Sequence, residues 1–413
     1  MRSSLATVAH KEAGMRPDSS LCVGAVVPRT GRLARLGDPL SFVIDMLAPR
    51  LTEVRNTRRH PLRFATRDSR SDPVHAAQAV RELVEHDRAD VVITMAGTKV
   101  LPAVAGACEA LGVPCVSTTF PWQAYVYSRA DDIDHRFDWT YHFAWGLDDI
   151  AAVFADIWER LDDTPAVGCL WNDDLQGRLL RHDRHGFAPA AARRGHTLTD
   201  PGGYREPAAD FTPHIRHLRR HGATVVTSAA TAADLALFHR QAREAGYLPR
   251  LITCSRWLTY PHIDPHDGPA RGRHELADAR VATLVYWTPS HPHRSSLDGS
   301  TADELAAAYQ QGTGKPWLQP LGLAHALVEV AHHALTHADD PADRRAVARA
   351  IGRTRLDTIA GPLDWTSGPT PNIALIPLVG GQWHPTRDGH RLAVVTNSAA
   401  PDVPVTADVA PTS

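Results

Sequence analysis

Three short clusters of glycine and hydroxyl residues each close an apolar, strand-like run: Thr30-Gly31, Gly97-Thr98 and Ser117-Thr118-Thr119. Residues of these types suit binding rather than bond-making. A glycine lets the backbone come close to a ligand, a helix N-terminus behind it offers free N–H groups to an anion, and hydroxyls add donors and acceptors. When strands run parallel, their carboxyl ends gather along one edge, and ligands of open α/β sheets sit there. The same rule picks out 172–177, Ser228-Ala229 and Ser255-Arg256-Trp257 in the second half of the chain. A second reading stands beside the first, in which Thr98 and Ser117 simply cap the helices that follow them.

Other chemistries find little support. The 24 histidines are scattered, with no HExxH or paired Cys-x-x-Cys pattern, so neither a metal site nor a cofactor is expected. His332 and His333 are adjacent on an expected helix and point in different directions. No G-x-S-x-G or paired-carboxylate signature appears; His142 and Asp173 would be the acid/base candidates of an enzyme, and no motif surrounds either. Cys22, Cys108, Cys115, Cys169 and Cys254 sit in apolar contexts and read as small buried residues, with a Cys108–Cys115 bridge left open.

At 413 residues the chain is long for one core and comfortable for two. Its 43% apolar and 22% charged residues are ordinary for a soluble globular protein, and a net charge of -2 gives no bulk attraction for nucleic acid or anionic membrane. No run of about 18 apolar residues predicts a membrane span. Residues 1–20 lack the apolar core of a signal peptide, and 18–21 form no lipobox before Cys22. They are expected to be a disordered extension, and the chain as written reads as cytoplasmic. The Pro-, Thr- and Ala-containing tail, 399–413, is also expected to be disordered.

The elements that must position the clusters alternate along the chain. Val-rich residues 21–27 read as a buried parallel strand, broken by Pro28, Thr30 and Gly31 before a helical run over 40–51. Strands follow at 62–66, 91–95 and 113–117, with helices at 74–86 and 100–111. A second set has a helix at 149–161, strands at 166–171, 197–200, 224–228, 250–253 and 281–287, and helices at 178–194, 211–221 and 232–246. Helices at 302–311 and 321–336 and a short strand pair at 358–365 complete the chain. This βαβ cadence predicts an α/β protein with two doubly wound parallel-sheet lobes.

The opening V-G-x-V-x-P-x-T-G resembles the type I periplasmic binding proteins, the leucine/isoleucine/valine-binding family of ABC-transporter solute receptors. Asp68-Ser-Arg-Ser-Asp-Pro73 is similar to that family's turn before its second helix, Tyr204 to Asp210-Phe211 to its Y-x(5)-D-F segment, and 358–365 to its closing hairpin. The likeness covers about 21–397. It implies two Rossmann-like lobes joined by a three-strand hinge, lobe one at 21–144 plus 290–353 and lobe two at 145–289 plus 354–398.

The resemblance also implies that Gly97-Thr98 and Ser117–Thr119 hold a ligand carboxylate. Where the family often places an aromatic, this chain has Asp174-Leu175; near the family's ammonium-receiving acid it has Arg256. Arg256 either faces an acidic ligand or pairs with a surface carboxylate. Trp122, Trp139, Tyr141, Trp145, Trp171, Trp257, Tyr260, Tyr286 and Trp287 fall at strand ends or crossovers, as interlobe packing or as grips on a flat, apolar ligand. The expected ligand contacts are Thr30, Gly97, Thr98, Ser117, Thr118, Thr119, Trp122, Tyr141, Asp174, Ser228, Arg256, Trp257 and Trp287. The function implied is capture of an amino acid or small aromatic acid for an ABC permease, without enzymatic chemistry, by a monomer or homodimer. Alternatives are a cytoplasmic ligand sensor of the same fold and a repurposed enzyme.

Overall fold

A computed structural model describes residues 20–161, 165–256, 276, 279–386 and 389–412. The first strand, β1 (Leu21–Val27), is buried along its whole length, as an unbroken apolar run requires when both faces of a sheet are covered. It lies between two parallel neighbours, β3 (Arg59–Asp68) and β4 (Val91–Met95). β2 (Glu53–Arg55) pairs antiparallel beyond β3, while β5 (Cys115–Thr118), β6 (Thr140–Ala144) and β14 (Ile373–Leu375) continue the sheet on the other side.

Local chemistry starts and stops the intervening helices. α2 (Pro73–Glu85) has proline in its first turn, where no N–H is needed, and the Asp72 carboxylate caps it by accepting from the N–H groups of Val74 and His75. α3 (Leu101–Leu111) ends on Gly112 in the left-handed conformation. α1 (Ala34–Leu47) lies so close to the β1 end that a Cβ at Gly37 would stand 2.1 Å from the Pro28 carbonyl oxygen. Glycine there holds the β1–α1 loop against the sheet edge.

The chain first crosses at Trp145-Gly146 into α5 (Leu147–Trp158). A second sheet follows: β7 (Val167–Leu170), β8 (Leu198–Thr199), β9 (Val225–Ser228), β10 (Leu251–Cys254) and β11 (Val281–Val285), all parallel. An antiparallel hairpin, β15 (Val379–Thr386) and β16 (Gly389–Thr396), completes its seven strands. α8 (Thr212–Arg220) and α9 (Ala232–Glu244) cover one face through Phe211, Leu218 and Phe238, and α5 covers the other.

After β11 the chain returns to lobe one. There α10 (Ala302–Thr313), opened by a Thr301/Glu304 capping box, α11 (Pro320–His337) and α12 (Arg344–Gly352) follow, with α11 and α12 packed on the first sheet. A fully buried Glu329 ties this return together. Its carboxylate accepts from the Ser296 N–H at 2.6 Å and the Ile359 N–H at 3.1 Å, and lies 3.1 Å from His325 Nδ1.

Beyond elements that the sequence did not mark, such as β6 and the β15–β16 hairpin, three features differ from the sequence-based expectations. The expected helix over 178–194 is two, α6 (Leu175–Leu180) and α7 (Phe187–Arg193). Pro189 has no N–H to give a continuous helix, yet is harmless in the first turn of a new one. The last crossing falls near 377 rather than 353. β12 (Arg355–Thr358), β13 (Gly361–Asp364) and β14 stay with lobe one because β14 pairs in parallel with β6, Ile373 beside His142. The tail expected to be disordered is docked on lobe two instead. Ala400 and Val403 are buried against Val285, Val379 and Leu392, Gln382 exchanges hydrogen bonds with the Ala410 backbone, and Thr412 N–H reaches the Arg250 carbonyl. Residues 1–19 lie outside the described residues.

Candidate functional site

The carboxyl ends of β1, β4 and β5 face those of the second sheet across a cleft of about 230 Å³, room for one small molecule. Lobe one contributes Arg32, Leu33 and Leu36 from the β1–α1 loop, Gly97 and Thr98 after β4, and Thr119, Phe120 and Pro121 after β5. Lobe two contributes Ile150 on α5, Gln176 on α6, Leu284 on β11, and Ser255 and Arg256 after β10. Between them the first two crossings meet, Trp145 stacking on Tyr286 with ring centres 4.5 Å apart and planes 13° apart. Burial pushes the Tyr286 phenol far above its ordinary pKa, so it remains a neutral, apolar wall.

The hydroxyls divide by function. Among the described residues Thr98 makes no side-chain hydrogen bond, so its hydroxyl is open to a ligand. Thr119 adopts φ 108°, a strained backbone for a β-branched residue, and its hydroxyl donates to the Ala96 carbonyl at 2.8 Å. Positive backbone strain of this kind, at a cleft wall, fits a ligand-facing loop.

Arg256 reaches back as well as out. Its Nη1 donates to Glu206 Oε2 at 2.5 Å and to the Ala229 carbonyl at 3.2 Å, while Asn172 Nδ2 donates to the same Glu206 oxygen at 2.9 Å. Burial works against the Glu206 carboxylate, but the Arg256 hydrogen bond and charge outweigh it and lower its pKa. Nearby, burial and the neighbouring Asp148 raise the Asp149 carboxyl to about 6 while it accepts from the Gly146 N–H at the first crossing.

Of the expected contacts, Gly97, Thr98, Thr119 and Arg256 come together in the cleft. The others lie behind or beside it. Thr30 donates to Asp68 at 2.7 Å, and that carboxylate also receives the N–H groups of Arg29 and Arg70, so the cluster fastens the β1–α1 loop. Ser117 is 2.9 Å from His142 Nδ1, and Thr118 donates to the Phe143 carbonyl, both inside the sheet. Trp122 is buried at the start of α4 (Trp122–Tyr127), its N–H donating to the Trp145 carbonyl. Tyr141 packs near Gly352 of α12. Asp174 caps α6 through the Gly177 N–H. Ser228 accepts from the Ala230 N–H. Trp287 is fully buried, edge-on to Trp317. Trp257 lies outside the described residues.

Arg32, Leu36 and Leu284 were not among the expected contacts, and no glycine or hydroxyl signal marks them. Their selection comes from the β1–α1 loop and β11 converging on one edge. Trp145 and Tyr286 carried a signal, as aromatics at crossovers. All five cysteines are buried and free, Cys108 and Cys115 included. Among the described residues no helix is long and apolar enough to cross a membrane.

Two parallel sheets that face one another across a cleft, with the chain passing three times between them, define the type I two-lobed binding-protein fold. The chain belongs to the periplasmic binding protein family, whose model matches residues 20–373. Among solved structures it is similar to the leucine-binding protein LivK of Thermotoga maritima (16% identity, TM-score 0.67, covering 92% of this chain and 99% of that one). It is similar also to an ABC-transporter substrate-binding protein of Sphaerobacter thermophilus (17%, 0.69, 94% and 99%). A third likeness is to an ABC-transporter solute-binding protein of R. palustris in complex with 4-hydroxybenzoate (14%, 0.69, 95% and 98%). At these identities the likeness is one of fold. No curated protein matches the sequence.

Proposed function

We propose that this chain is the substrate-binding component of an ABC importer and holds one small carboxylate-bearing compound, an amino acid or a small aromatic acid, in the interlobe cleft. The observation that carries the reading is the composition of the cleft. Thr98, whose hydroxyl has no partner among the described residues, and the Thr119 loop lie on lobe one, and Arg256 on lobe two faces them over a stacked Trp145–Tyr286 floor. The polar groups suit an anionic end and the rings an apolar body. Gly97, Thr98, Thr119 and Arg256 are the proposed contacts; Thr30, Ser117, Thr118, Trp122, Tyr141, Asp174, Ser228 and Trp287 are proposed to support the walls. A ligand bridging both surfaces stabilises the closed arrangement of the lobes, so binding alone performs the function.

The test is calorimetric titration of the whole chain with a panel of amino acids and aromatic acids, alongside thermal melting and small-angle scattering. A cognate ligand should saturate one site, reduce the radius of gyration, and stabilise the fold by about 2.7 kcal/mol at 100 times its Kd. Unchanged melting and scattering across the panel would overturn the reading. Stimulation of ATP hydrolysis by a permease in vesicles, with loaded but not empty protein, tests the importer assignment.

A further inference from the structure

We infer that the cleft selects acids that lack an amino group, and that Arg256, held by Glu206, is the residue that discriminates. The inference rests on the small-carboxylate reading above and narrows it.

Its basis is where the charges stand. Arg32 on lobe one and Arg256 on lobe two line opposite walls of one cleft. Among the described lining residues there is no carboxylate. The nearest acids are already engaged: Glu206 receives Arg256 at 2.5 Å and Asn172 at 2.9 Å, and Asp174 accepts from the Gly177 N–H at the start of α6. Lys99, exposed beside Thr98, adds a third cation, close enough to help lower the Glu206 pKa from across the cleft.

A ligand carboxylate is favoured here, because Arg32 and Lys99 add their charge to an Arg256–Glu206 pair that is neutral in sum. An α-ammonium group cannot be separated from its carboxylate by more than one carbon, so it must enter the same field and lose its hydration there. It is repelled by Arg32 and Lys99, and among the described residues the acid beside Arg256, Glu206, is already engaged by that guanidinium. To accept an amino acid the site would have to break the Arg256–Glu206 pair and swing the guanidinium away. Arg256 also donates to the Ala229 carbonyl, which opposes that movement. A des-amino acid of the same shape binds without any of this rearrangement.

Matched pairs differing by the amino group alone provide the test: 4-methylpentanoate against leucine, and 3-phenylpropanoate against phenylalanine, titrated calorimetrically into the full chain. The acid of a pair should bind at least about tenfold tighter than its amino acid, equivalent to about 1.4 kcal/mol. In Arg256→Gln the Glu206 carboxylate is released, and the ratio should fall at least about fivefold, with the amino acid gaining affinity. Glu206→Gln should keep or sharpen the preference for the acid, and it keeps the test decisive if the first variant folds poorly. Wild-type protein that binds an amino acid as tightly as its des-amino partner overturns the inference alone and leaves the small-carboxylate reading standing. So does an unchanged ratio in Arg256→Gln. Failure of every compound to bind overturns the small-carboxylate reading, and the inference with it.

Discussion

At the end of β4 the Thr98 hydroxyl faces the cleft with no described protein partner, so its removal should leave the empty protein intact. A hydrogen bond to a charged ligand group contributes about 1.5–3 kcal/mol, so Thr98→Ala should weaken binding by about tenfold or more. The apo melting temperature should not move. Trp287 lies at the other extreme. Its ring is fully buried against Trp317, and α11 packs so tightly on it that a Cβ at Gly322 would stand 2.2 Å from the indole. Trp287→Ala should therefore cost about 3–5 kcal/mol of stability. Chemical denaturation beside calorimetry of both variants checks the contrast: affinity lost with stability kept in one, stability lost in the other. Thr98 and Trp287 look equally eligible in the sequence as strand-end residues, and only burial separates them.

Among the elements, β5, β6 and α4 are knotted by one histidine. His142 is fully buried and stacked on Tyr125 at 4.4 Å; its Nε2 donates to the Phe120 carbonyl at 3.0 Å, and its Nδ1 accepts from the Ser117 hydroxyl at 2.9 Å. Burial pushes its pKa down from 6.5 to about 3. His291, buried at the second crossing, is also pushed down to about 3 by burial and the adjacent His293. In each case the unfolded chain takes up a proton below pH 6.5 while the folded chain stays neutral. Stability is therefore full above about 6.5 and falls as pH drops toward 3, by up to about 1.4 kcal/mol per pH unit for each histidine. His142→Gln should lower stability at pH 8 and flatten the acid limb by about one such increment. Denaturant unfolding at pH 8, 6 and 5 reads both effects. A parallel slope in variant and wild type would show that His142 is not the linked group.

For the molecule as a whole, lobe two is closed by its own tail. Residues 400–412 follow β16 and run back over β16 and β15 to the foot of β10, burying Ala400 and Val403 and engaging Gln382 from both directions. A chain ending at 397 exposes Val285, Leu392 and Val394 and orphans the buried Gln382 amide. Loss of that burial and those bonds should destabilise lobe two by about 3 kcal/mol. Hydrogen exchange should show the loss concentrated in β15 and β16, with β1 and β4 of lobe one unchanged. Uniform protection in both chains would mean the tail contributes nothing to the sheet.

Periodicity alone was enough for the elements whose signal is local. β1 and β4 are legible to the residue, because a strand covered on both faces must be apolar throughout, and 91–95 is such a run bounded by Asp90 and Gly97. The two-lobed family was legible from the same strands and their turns. The hairpin of β15 and β16 and the attachment of β14 to β6 were not. Their residues 373–396 mix Gly, Pro, Gln and His, and β14 and β15 are attached to their sheets by partners more than 90 positions away in the chain, with β16 paired on β15 at the edge. The site divides along the same line. The glycine and hydroxyl clusters lie along the sheet edge that lines the cleft, since the carboxyl ends of parallel strands must share one. Which hydroxyl lies at the cleft and which on the next strand depends on the pleat and on the neighbour's carbonyl, as Thr98 and Thr118 show. The charge of the cleft was further out of reach: Arg256 and Glu206 are 50 residues apart, and only the meeting of β10 with the Tyr204 segment turns a cation and an anion into a pair. Sequence determined the buried parallel strands, the two-lobed family and the sheet edge that lines the cleft, because those follow from local hydrophobic pattern and chain direction. Tertiary structure decided which side chains line the cleft and how their charges are paired, because those depend on contacts between segments that the sequence keeps apart.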